Sequence, residues 1–196
     1  MKFAFTFVFL TVASGLCYAQ KAPDKEVQIK MAVLAAPQEQ RENATVMGYA
    51  PNGDLALLRK GSNGMICLAD DPNQKGLNVS CYHESLDAFM ERGRQLKKEG
   101  KSFQEIFDMR EAEVKDGKLK MPEQPTTLYV YTAADEKVNL STGEVQDGYL
   151  RYVIYIPYAT AESTGLPLKP DFAGQPWIMD PGTHRAHIMI SPPKDK

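Results

Sequence analysis

The chain has 196 residues, a formal net charge of −2, 43% hydrophobic residues and 24% charged residues. That is one domain's length with enough apolar material for a core, which excludes a disordered tail and a membrane bundle. The slightly acidic balance excludes nucleic-acid binding driven by bulk charge.

Met1-Lys2 precede an almost unbroken apolar run from Phe3 to Val12, followed by Ala13-Ser14-Gly15-Leu16-Cys17-Tyr18-Ala19. A charged start, a short apolar run and small residues at its end form the pattern of a secretory signal peptide, 1–19, cut near Ala19. The run is too short to span a bilayer, and no later stretch approaches the length of a transmembrane segment. Lipidation of Cys17 is the rival reading, and Ser14 and Leu16 stand in the wrong order for it. The expected product is a single α+β domain, 20–196, soluble and extracytoplasmic, either periplasmic or secreted. Loss of Cys17 leaves Cys67 and Cys81. An even pair in an oxidising compartment reads as one disulfide, with two free buried thiols as the alternative.

In chain order, Val27 to Ala36 reads as a short helix stopped by Pro37, and Pro37 to Asn43 as a polar helical turn. Thr45 to Tyr49 and Leu55 to Arg59 read as strands around the Asn52-Gly53-Asp54 turn. Gly61-Ser62-Asn63-Gly64 reads as a second hairpin turn leading to the strand Met65 to Leu68, so the first half is expected to be an antiparallel meander. Asp70 to Gly76 is a loop. Two helices follow, 85–99 and 102–116. The second opens on Ser102-Phe103-Gln104-Glu105, a capping box, and repeats Phe103, Ile106, Phe107 and Val114 at helical spacing. Thr126 to Thr132 and Tyr149 to Ile156 alternate as strands. The Pro- and Gly-rich stretch from Pro157 to Gly182 is too long for a passive connection. His187 to Ile190 is a last short strand. The fold class expected is α+β: an antiparallel β-sheet with two central helices packed on one face and one disulfide.

Two blocks carry a family resemblance. One is Arg59-Lys60-Gly61-Ser62-Asn63-Gly64-Met65-Ile66-Cys67-Leu68-Ala69-Asp70. The other runs from Gly165-Leu166-Pro167 through Trp177-Ile178-Met179 to Gly182-Thr183-His184-Arg185-Ala186-His187-Ile188-Met189-Ile190. Together they resemble a group of secreted bacterial proteins without an established activity. The resemblance implies a bacterial origin and export, and it transfers no catalytic residue.

No nucleophile elbow, phosphate loop or dinucleotide fingerprint occurs, so no cofactor is expected. The histidines are His83, His184 and His187. His184 and His187 have ligand-like spacing on a helix, but here they fall on a loop entering a strand, where such residues face opposite ways. Asp70 follows the strand of Cys67, where it either caps a turn or faces a site. Trp177 is either a core plug on the long loop or a pocket wall. The candidate ligand-binding residues are therefore Asp70, His83, Trp177, His184 and His187, in a site between the long loop and the turn around Asn63 and Asp70. The function expected is a non-enzymatic binding or envelope-associated domain, whose partner is a small molecule or an envelope protein. The alternative is a metal-assisted hydrolase built on the three histidines.

Overall fold

The computed structural model describes residues 22–194. The leader expectation and Cys17 lie outside the described residues.

The centre is an eight-stranded sheet in the order β2-β1-β3-β4-β5-β8-β10-β9. Its strands are β1 (Thr45–Tyr49), β2 (Leu55–Arg59), β3 (Met65–Leu68), β4 (Leu77–His83), β5 (Thr126–Ala133), β8 (Tyr149–Tyr155), β9 (Trp177–Met179) and β10 (His187–Ile190). A small separate hairpin, β6 (Val138–Asn139) with β7 (Glu144–Val145), interrupts the β5–β8 connection. The helices are α1 (Lys25–Ala32), α2 (Asp87–Lys98), α3 (Phe103–Lys115) and the single turn α4 (Ala161–Thr164). The α+β class and a mostly antiparallel sheet therefore hold.

Strand alternation divides the core in two. Leu77, Val79 and Cys81 point to the face covered by α1 and the 3-10 turn that continues it, where they meet Met31, Ala32 and Val46. Tyr82, Leu128, Val153 and Tyr155 point to the other face, where they meet Phe89, Met90 and Val114 of α2 and α3. Helices α2 and α3 thus pack on one face, and α1 covers part of the other. A sheet with apolar side chains on both faces needs both layers.

The antiparallel meander expected for the first half is corrected at β3. It pairs parallel with β1, while β2 lies on β1's other side. Gly61-Ser62-Asn63-Gly64 is therefore a crossover over the start of β1 and not a hairpin turn. Gly61 explains how this is possible: a Cβ there would strike the backbone of Asn43 and Thr45. The Ser62 N–H donates to the Asn43 carbonyl (2.9 Å), and the Arg59 guanidinium donates to the Ala44 carbonyl (3.0 Å). The crossover sets β3 beside β4, where Cys67 lies directly opposite Cys81, and the two form the expected disulfide.

Helix α3 has the expected capping box. The Ser102 hydroxyl accepts from the Glu105 N–H, and the Glu105 carboxylate accepts from the Ser102 N–H at 2.8 Å. Ser102→Ala should lower stability by about 1 kcal/mol, read as a shifted urea midpoint at unchanged slope. An unmoved midpoint would contradict this. The expected apolar stripe of α3 is only partly buried. Phe103 is 66% exposed, and Arg110 takes the buried position instead. Its guanidinium lies 3.9 Å over the Phe89 ring and donates to the Phe89 carbonyl. Bidentate hydrogen bonds from Arg92 to Glu113 fasten α2 to α3.

Candidate functional site

The sheet places the five candidate residues in different surroundings. His83, at the end of β4, and Asp70, after β3, lie at opposite ends of the α1-covered half. His187 pairs with Tyr155, on the α2/α3 face. The single site expected between the long loop and the turn around Asn63 and Asp70 is therefore distributed over four places.

His83 lines an open cleft of about 760 Å³. Met65, Tyr129 and Thr127 contribute from the strands. The segment from Met121 to Pro125 forms the opposite wall. The His83 Nδ1 accepts from the Ser85 N–H at 3.2 Å and so closes the turn that begins α2's approach. In the neutral ring this leaves the proton on Nε2, a donor free for the cleft. Gly64 lies against this ring: it has φ +73°, and a Cβ there would sit 3.2 Å from Nε2. Asn63 serves structure. Its side chain accepts from the Met65 N–H and donates to the Gln40 carbonyl, tying the crossover to the N-terminal segment.

Asp70 lines a second, more enclosed cavity of about 310 Å³ beneath α1. Its Oδ1 accepts from the Asn78 N–H at 2.8 Å. Burial, followed by the charges of Asp71 and Asp135, pushes its carboxyl up to about 6 against the help of the Asn78 amide.

His184 and His187 belong to a buried aromatic cluster between the sheet and the central helices. His184 is fully buried, with the Phe89 and Phe107 rings edge-on at 5.6 and 5.0 Å. One oxygen of Glu111 accepts from both the His184 N–H (2.8 Å) and Nδ1 (2.5 Å), while its Nε2 has no partner. His187 donates from Nδ1 to the Arg185 carbonyl at 2.7 Å and leans on the Tyr155 ring. Each nitrogen so used is lost to a metal. Among the described residues no three His, Cys, Asp or Glu side chains gather as a metal site.

Trp177 lies half-buried on β9, opposite Met189, and borders neither cavity. The long 157–182 stretch is ordered rather than a simple loop. It contains α4, which is closed by a Thr160–Ser163 capping box, and β9. The Tyr158 N–H donates to the Thr183 carbonyl, and the Ile178 N–H to the Pro167 carbonyl.

Sequence reasoning missed β4, the strand that carries both Cys81 and His83. The alternation of Leu77, Val79 and Cys81 with Asn78 and Ser80 was the available signal. It also missed the Met121 to Pro125 wall, which has no periodic signal, and Glu111, whose role arises only through the distant His184.

The titrating groups oppose one another. Burial holds His184 and His187 below the ordinary histidine value, with Glu111 and the Arg185 carbonyl respectively opposing. The unfolded chain therefore takes up these protons first. Their stabilisation is complete above about pH 6.5 and is lost as pH falls. Asp70 works the other way. Its raised value stabilises the fold most below its ordinary 3.8, and that contribution is lost as pH rises through about 6. Asp70→Asn keeps an acceptor for the Asn78 N–H and removes the charge. It should raise the denaturation midpoint at pH 7.5 and leave the midpoint at pH 4 nearly unchanged. Equal midpoint changes at both pH values would contradict this assignment.

The chain matches no protein-family model, no curated protein and no solved structure.

Proposed function

We propose that the protein is an exported, non-enzymatic binding domain that holds an extended segment of an envelope partner in the cleft beside His83. The observation that carries this reading is the cleft itself. It is wide and open, it has apolar walls from Met65, Met121, Pro122 and Tyr129, and it offers an imidazole donor from His83. Enclosed pockets suit small ligands, whereas an open trough suits a chain that lies along it. Export rests on the leader pattern and on the resemblance of the two sequence blocks to secreted bacterial proteins. The oxidised Cys67–Cys81 pair is compatible with it. Among the described residues no helix is long and apolar enough to cross a membrane.

Two measurements test this reading. The exported protein should begin at Gln20 and contain no free thiol, while an intact leader on the exported form would contradict it. Random peptides selected against the mature protein should shift the methionine methyl signals of Met65 and Met121 when titrated by NMR, and His83→Ala should weaken them about tenfold. Selected peptides that leave both methyls unmoved would place recognition elsewhere.

A further inference from the structure

The second cavity lies at the other end of the α1-covered face, apart from the His83 cleft, and its chemistry differs. Much of its lining is apolar: Met31 and Leu77 are each 2% exposed, and Val138 and Pro72 line it as well. Its polar lining includes Gln28, whose carboxamide is already fully engaged. Gln28 donates to the Pro23 and Tyr49 carbonyls and accepts from the Tyr49 N–H. Two carboxylates, Asp70 and Asp135, also line it.

Both are fixed in place by backbone. Asp70 Oδ1 accepts from the Asn78 N–H and Asp135 Oδ1 from the Gly76 N–H, each at 2.8 Å. Each therefore keeps its second oxygen. Among the described residues neither has an ion-pair partner, whereas neighbouring Asp71 is paired with Lys97 at 3.5 Å. Asp70 is partly buried and has the charge of the exposed Asp135 near it, so its ionised form carries an electrostatic cost that no cation of the protein offsets among the described residues.

We propose that this cavity binds a small organic cation, a primary ammonium on a short alkyl stem. The ammonium would lie between Asp70 and Asp135, and the stem would fill the space over Met31 and Leu77. A neutral ligand leaves the carboxylates uncompensated, and an anion is repelled by them. A bare divalent ion prefers a fuller shell of oxygens than two carboxylates in a largely apolar lining supply. The volume, about 310 Å³, stands at the lower end of small-ligand pockets. The raised Asp70 carboxyl supports the assignment, because a bound cation would restore its ionised form.

The probe is n-pentylammonium chloride, with 1-pentanol as its uncharged counterpart, titrated into the mature protein at matched ionic strength and pH 7.5. Methionine methyl NMR distinguishes the cavities, since Met31 lines this one and Met65 and Met121 line the other. Pentylammonium should shift the Met31 methyl saturably and leave Met65 and Met121 in place. Pentanol should bind at least about tenfold more weakly, and Asp70→Asn and Asp135→Asn should each weaken pentylammonium about tenfold. Both variants keep their backbone acceptor, and an unmoved ligand-free Met31 signal certifies their fold. Equal binding of pentanol, undiminished binding by both variants, or an unmoved Met31 methyl at millimolar probe would each overturn the proposal. None of these outcomes bears on the His83 cleft.

Discussion

Replacing Cys67 and Cys81 together by alanine should lower the unfolding free energy by about 3 kcal/mol in the chain-entropy account of a loop of this length. The residues are 14 apart in sequence and both sulfurs are fully buried. Lost packing around the sulfurs adds about 1 kcal/mol, because cores close only partly over deleted atoms. At this chain length the thermal midpoint should fall by roughly 10 °C. The staple joins the neighbouring strands β3 and β4. Reducing the wild-type protein, which keeps both sulfurs in the core, should produce most of the variant's fall in midpoint. An unchanged midpoint on reduction would mean that the bond contributes nothing to the fold.

Glu111→Ala should cost about 3 kcal/mol, by leaving polar groups of His184 without an acceptor. His184 is fully buried, so water cannot replace the carboxylate without opening the cluster. Burial pushes the Glu111 carboxyl up. The His184 N–H, the Lys115 ammonium and the His184 ring outweigh this and hold it below the usual carboxylate range. Its contribution is therefore present above its ordinary value of 4.5 and is lost as pH falls through the lowered one. Glu111→Gln keeps an acceptor and should cost less. Amide exchange at residues 183–187 should accelerate in Glu111→Ala while the β4–β5 ladder stays protected. Unchanged exchange in that segment would refute the clamp.

Local signals in the sequence were reliable where chemistry is local. The capping box of α3, the alternation of β5 and β8, and the pairing of Cys67 with Cys81 depend on nearby residues or on simple counting. What escaped depends on contacts far apart in sequence. A Gly-Ser-Asn-Gly run has the composition of a hairpin turn, and only the nearness of Asn43 and Thr45 makes it a crossover. Phe103 fits the apolar stripe of α3, yet at the first position of the helix it stays exposed, with the Arg185 guanidinium 5.1 Å from its ring centre. The site was legible only in part. Asp70 and His83 do line cavities, but separate ones. The histidines at the C-terminal end are absorbed into the core by Glu111 and the aromatic rings, which no spacing rule foretells.

The central claim is that the His83 cleft receives an envelope partner outside the cytoplasm. The most direct measurement is photo-crosslinking in the native cell, with p-benzoylphenylalanine placed at Gln124, on the exposed wall of the cleft, or at Leu57, an exposed residue of the distant β2 edge. The account predicts a discrete extracytoplasmic adduct from position 124 that is lost when His83→Ala is added, and no such adduct from position 57. The same adducts from both positions, or none from position 124, would contradict it.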